Sequence, residues 1–235
     1  MSQFTWLTGR GPALLETQLD RRARLAAPAP LDERALNEQR LVVLDLETSG
    51  LDLRRDQVLS IGAVVIEGGA IDLGQQFERT LRCPDRQLGA SVLIHGLAPS
   101  TIAAGSERAE ALLDFMEFLG DSPLLAFHAG FDRRMLGRAL KQTLGHRLRH
   151  RFFDLAELAP LLCPQAHIAR GGLDDWARHF GLQAQQRHHA SADALVTAEL
   201  ALILFSRARR QQLDSLQALE QRLHGWRRRQ RAQAF

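Results

Sequence analysis

Asp45 and Glu47 stand two residues apart at the end of an apolar run, LVVLDLE (41–47). Residues two apart in an extended chain point to the same face, so a strand here presents both carboxylates together. Charges beside LVVL are costly unless they reach solvent or a partner. Two readings follow. The strand exit meets water, or the pair serves as hard oxygen ligands whose mutual repulsion a divalent cation offsets. Asp132 follows another apolar run, PLLAF, at the expected start of a helix, where it is either a cap or a further ligand. Asp193 precedes the run ALVTAELALILF (194–205) and needs either solvent or a partner. Ahead of it, HHASAD (188–193) sets two histidines side by side. Residues four apart share a helical face, which favours His189 as the companion of Asp193. That argument fails if the helix begins only around Ala190, and His188 then lies in the preceding loop. An imidazole with an ordinary pKa of about 6.5 suits a general base near neutral pH.

These residues must be positioned by a mixed sheet. LVVLDLE reads as a central, buried strand. Residues 57–69 and 70–82 read as two more strands joined by a glycine turn, a hairpin. Helical periodicity covers 106–120, with Gly120 as its stop. A fourth strand is expected at 123–129, a helix at 131–144 and a short fifth strand at 151–155. Helices follow at GGLDDWARHFG and at 190–206, with a basic helical tail beyond. Three strands followed by alternating helix and strand imply an α/β fold, a mixed five-stranded sheet flanked by helices. Residues 11–25 have helical spacing ahead of the breaker APAP, so short helical extensions are expected at both ends. The expected division is 1–39 as N-terminal helix and linker, 40–206 as the main domain and 207–235 as the tail.

The chain has 235 residues, a net charge of +3, and 30 basic residues, of which only Lys141 is not Arg. Arg suits planar, bidentate contact with phosphate. Residues 133–151 hold six Arg and one Lys with no acid, and 207–231 hold eight Arg against Asp214 and Glu220. Both stretches are either nucleic-acid contacts or solvated helix faces. Cys83 and Cys163 form no metal spacing and no disulfide framework, which points to a reduced, cytoplasmic setting. No apolar run is long enough to span a membrane. Tyr is absent and aromatics are few, which disfavours a long single-strand stacking platform.

The order LDLETSGL, IHGLAPS, AFHAGFDRRML, HHASADALVTAEL resembles the DEDDh family of 3′-to-5′ exonucleases, to which the DNA polymerase III epsilon proofreading subunit belongs. The resemblance covers roughly residues 40–206. It implies a ribonuclease-H-like fold and two divalent metal ions, Mg²⁺ or Mn²⁺, held by Asp45, Glu47, Asp132 and Asp193. In the family's last motif, H-x-A-x-x-D, the catalytic histidine is His188, and His189 is a surface residue. The same likeness implies that Thr48, Ile94, His95, Leu97, His128 and Phe131 contact the terminal nucleotide. His128 stands where relatives commonly carry Asn. Two metals about 3.5–4 Å apart can hold the attacking and leaving oxygens of an in-line displacement.

The expected activity is hydrolysis of phosphodiester bonds from a free 3′ end, releasing nucleoside 5′-monophosphates. DNA is favoured over RNA as substrate. The alternatives are an exoribonuclease and an inactive nucleic-acid-binding scaffold. The lack of a polymerase domain implies either a free nuclease or one that docks on a partner, for which a polymerase or sliding clamp is the candidate. QLDSL (212–216) faintly resembles a clamp-binding peptide.

Overall fold

The computed structural model describes residues 14–83, 97–168, 171–183 and 189–233. Its centre is a five-stranded sheet in the order β3-β2-β1-β4-β5. β1 (Leu41–Thr48), β2 (Val58–Glu67) and β3 (Ala70–Thr80) form an antiparallel meander. Gly68 and Gly69 make its β2–β3 turn at φ 61° and 76°. Two consecutive positive φ values match the twist of a two-residue hairpin, and glycine adopts them without a Cβ clash. β4 (Leu124–Ala126) joins β1 in parallel, and β5 (Phe152–Asp154) joins β4 in parallel.

β1, β2 and β4 are buried on both faces, and alternation along β1 divides the core in two. Leu41 and Val43 face one apolar cluster, whereas Val42, Leu44 and Leu46 face the other. The second face is covered by α3 (Arg108–Leu119) and α4 (Ala129–Leu144), which add Leu112, Phe115, Met135 and Leu136. The first face is covered by α5 (Leu155–Leu162), α6 (Leu173–Phe180), α7 (Ala190–Arg210) and α8 (Leu216–Gln233). A short α2 (Pro99–Ala103) precedes α3. Among the described residues, no helix is long and apolar enough to cross a membrane.

Several boundaries differ from the expectation. β4 spans three residues, and α4 starts at Ala129, earlier than 131. Its start is His128, in the left-handed region at φ 62° and ψ 40°. α5 was not anticipated, because Pro160 lies inside it and proline interrupts a helical pattern. α7 runs past residue 206 to Arg210, so the expected domain boundary falls within a helix.

Both extensions are docked. α1 (Glu16–Ala23) meets α3 through Arg21, which reaches Glu110, Asp114 and Glu117 at 2.6–2.8 Å. α8 buries Leu216, Leu219 and Leu223 in the core, and Arg227 pairs with Glu157 on α5. The QLDSL segment is therefore part of the fold: Leu216 is 1% exposed and is not presented as a free docking peptide.

Candidate active site

Asp45 and Glu47 continue the Leu41–Val43 face of β1, the face that α7 covers. Asp45 lies directly opposite Gly62 in the β1–β2 register. That glycine has a steric reason. A Cβ at Gly62 would come within 2.1 Å of the Ala190 carbonyl carbon and 2.2 Å of the Ser191 nitrogen. Its absence lets the first turn of α7 rest on the sheet and delivers Asp193 to the β1 carboxylates. Oxygens of Asp45, Glu47 and Asp193 lie within 4.8 Å of one another. Glu47 and Asp193 are buried, while Asp45 is partly exposed.

Asp132 arrives from the other side of the sheet. It is the fourth residue of α4, which begins just beyond the carboxyl end of β4. That position excludes the cap reading, because His128 occupies the N-cap position. Asp132 is buried and lines one cavity with Asp45, Glu47 and Asp193. Burial, with the nearby charges of Asp154 and Glu47, pushes its carboxyl up to about 8. The cavity has a volume of about 510 Å³ and is walled also by Leu51, Phe127, His128 and Phe131.

Asp154, at the end of β5, was not singled out from the sequence. Its Oδ1 accepts the backbone N–H of His128 at 3.0 Å and that of Ala156 at 3.0 Å. One carboxylate thus holds the start of α4 and caps α5. Burial raises its pKa above the usual carboxylate range. Leu51 was also missed. It lies in a turn read only as a strand exit, yet it lines the cavity and is 82% exposed.

The remaining expected residues divide. His128 and Phe131 line the cavity. The Thr48 hydroxyl donates to the Gly50 carbonyl at 2.8 Å, inside the turn after β1. Leu97 packs with Leu59, Cys83 and Ile102, a small cluster apart from the cavity wall. Ile94, His95 and His188 lie outside the described residues. α7 begins at Ala190, and His189 precedes it in extended conformation at φ −124°. The His189 ring contacts the Ser191 hydroxyl and the Glu78 carboxylate, each at 3.1 Å.

Three carboxylate oxygens this close repel one another, and the set is all hard oxygen, the donor type favoured by Mg²⁺ and Mn²⁺. The donor set fits a divalent cation.

A mixed sheet of this order with helices on both faces, carrying carboxylates at the carboxyl ends of β1 and β4, defines a ribonuclease-H-like fold. Residues 42–201 match the model of the RNase_T exonuclease family. The chain therefore belongs to that family, and the DEDDh-type reading holds. It is 33% identical over 172 residues to a PolC-type DNA polymerase III of Thermotoga maritima, covering 73% of this chain and 12% of that protein. Against the DNA polymerase III epsilon subunit of Aquifex aeolicus the identity is 28% over 160 residues, 68% of this chain and 77% of that one. The fold matches E. coli exonuclease I in complex with a dT13 oligonucleotide at a TM-score of 0.60. Identity there is 18%, over 73% of this chain and 42% of that one. The chain thus spans a small part of the PolC-type relatives and less than half of exonuclease I.

Proposed function

We propose that this protein is a metal-dependent 3′-to-5′ exonuclease that acts on DNA in preference to RNA and releases nucleoside 5′-monophosphates. The observation that carries the reading is the meeting of four carboxylates from β1, α4 and α7 in one cavity beside Phe131 and Leu51. Asp45, Glu47, Asp132 and Asp193 would hold two divalent cations, Mg²⁺ or Mn²⁺. When bound, such ions neutralise the phosphodiester and stabilise the attacking and departing oxygens.

The chain's own residues supply the rest. His188 takes the proton of the water whose oxygen bonds to phosphorus. The bond from phosphorus to the 3′ oxygen of the preceding nucleotide breaks, and that oxygen leaves and takes a proton from water to become the new 3′ hydroxyl. The turn of His189 toward Glu78 and Ser191 supports His188 as the base. Phe131 and Leu51 offer apolar surface to the terminal base. His128 stands beside them, and Thr48, Ile94 and His95 are the further contacts carried over from the family, while Leu97 packs in its own cluster away from the cavity. The preference for DNA draws on the polymerase relatives and on the oligonucleotide bound by exonuclease I. A polymerase is accordingly the protein partner proposed.

The test uses 5′-labelled DNA and RNA strands of matched sequence, with Mg²⁺, Mn²⁺ or EDTA, beside Asp45→Ala. The expected result is a metal-dependent ladder receding from the 3′ end, faster on DNA and lost by on the order of 10³-fold or more in the variant. A faster RNA ladder would make the enzyme an exoribonuclease. Binding of both strands with no cleavage under any metal would leave the scaffold reading.

A further inference from the structure

A second concave site lies at the far end of α4 from the carboxylates. It is a cavity of about 610 Å³ between the Leu25–Pro28 linker and the loop that follows α4. Its charged wall is Arg22, Arg147 and Arg149, with His146 and His150 as polar neighbours and no acidic residue in the described lining. Arg22 is held in place by donating to the Leu144 carbonyl at 2.8 Å, at the carboxyl end of α4. His150 is buried and contacts the Gly120 carbonyl at 2.9 Å. Burial, followed by the positive charge of His150, Arg22 and Arg149, holds His146 below its usual pKa. Burial likewise holds His150 below its usual pKa, against the opposing Gly120 carbonyl contact and the charge of Asp121. Positive charge gathered around a concavity, with an apolar wall opposite, is suited to a phosphate-bearing chain.

The surface between the two sites has the same character. Along α4, Arg133, Arg134 and Lys141 are exposed, and no acid follows Asp132 on that helix. Gly130 and Gly137 leave the track bare: an added Cβ meets nothing within 4 Å at the first, and only Leu148 at 3.9 Å at the second. A phosphate backbone can approach the helix closely there.

We propose that the cavity of Arg22, His146, Arg147, Arg149 and His150 is a second anchor for the substrate strand, taking its backbone phosphates upstream of the 3′ end. α4 has 16 residues. At about 1.5 Å per residue its length corresponds to roughly seven nucleotides at the rise of about 3.4 Å of a stacked strand, and to about four in an extended one. Strands shorter than that reach the catalytic cavity but not the anchor. The inference rests on the exonuclease reading for its polarity, with the 3′ end at the carboxylates.

Binding measured without catalysis tests it. Labelled oligothymidylates of about two and about fourteen nucleotides, below and above that span for stacked and extended strands alike, are titrated in EDTA and followed by fluorescence anisotropy. The proteins are wild type, Arg147→Gln/Arg149→Gln, and Arg228→Gln/Arg229→Gln, which removes equal exposed charge from α8. The expected result is that only the first variant weakens the longer strand, by about tenfold, and lowers its salt slope by about 1.4, the value for two single-strand phosphates. Its binding of the short strand and its rate on that strand with Mg²⁺ stay at wild-type values. Equal losses in both variants, equal losses on both strands, or no loss overturns the anchor. Failure of wild type to cleave either strand would instead overturn the exonuclease reading, and the anisotropy comparison would still decide the anchor.

Discussion

Replacing Gly62 by alanine adds one methyl group to β2, and its consequence can be followed atom by atom. The new Cβ would lie 2.1 Å from the Ala190 carbonyl carbon, 2.2 Å from the Ser191 nitrogen and 2.4 Å from the Ala190 oxygen. All three contacts are backbone, so no side-chain rotation relieves them. Restoring a carbon contact of about 3.4 Å requires the start of α7 to retreat from the sheet by more than 1 Å. Asp193 lies in that first turn, and its partner across the gap is Asp45, directly opposite Gly62. The retreat therefore opens the carboxylate group, whose oxygens lie within 4.8 Å of one another. Overpacking of this kind costs about 1–3 kcal/mol of stability, and misplacing a catalytic group by about 1 Å costs on the order of 10²-fold in rate.

The assay is hydrolysis of a labelled oligonucleotide over a Mg²⁺ titration, with thermal unfolding in parallel. Gly62→Ala should remain folded, cleave on the order of 10²-fold more slowly, and need more metal for its residual rate. Gly225→Ala, on α8, is the control, because the added Cβ there meets only the Arg229 side chain, at 3.6 Å. It should keep full activity and gain up to about 1 kcal/mol from helix propensity. Wild-type rate and metal midpoint in Gly62→Ala would refute the claim that this glycine sets the position of Asp193.

Three further outcomes are expected. His188→Ala should lower turnover by about 10²–10⁴-fold, the range for a lost general base, whereas His189→Ala should change it little; the reverse order in single-turnover assays would reassign the base. In EDTA the Asp132 carboxyl, raised to about 8 by burial, binds more protons folded than unfolded between about pH 4 and pH 8. Its contribution is thus fully present below pH 4 and lost as pH rises toward 8. Asp132→Asn should flatten that decline and melt above wild type at pH 8, and parallel melting curves across the range would count against it. Truncation after Ser215 removes Leu216, Leu219 and Leu223 from the core. It should lower stability by several times the roughly 1.5–3 kcal/mol of one buried leucine, or abolish folding, as read by circular dichroism; an unchanged melt would show that α8 contributes nothing to the core.

What was legible in advance was the local part of the design. The compact apolar run LVVLDLE identified the strand, and its period of two gave the shared face of Asp45 and Glu47, because pleat geometry is a property of neighbouring residues. The hairpin glycines were likewise visible. β4 was read as longer than it is because PLLAFHA is apolar throughout, and an apolar run does not say where a strand ends and a buried helix starts. α5 escaped because Pro160 hides its period. The docking of α8 escaped because its arginines outnumber its leucines, and only three-dimensional contact separates an apolar stripe that packs from one that faces water.

Asp132 and Asp154 show where such reading stops. A local rule allowed Asp132 to be the cap of α4, since an acidic residue near a helix start commonly is. The residue that holds that helix start lies 26 positions from His128 in the chain, on a strand adjacent to β4 only through the sheet order. Asp154 binds the backbone of His128, itself in a left-handed conformation that non-glycine residues seldom adopt. With the helix start held there, Asp132 is released from capping and placed, buried, against the carboxylates of β1 and α7. The parallel pairing of β4 with β5 thus decides which aspartate caps and which enters the cavity. No spacing within AFHAGFDRRML could have distinguished the two.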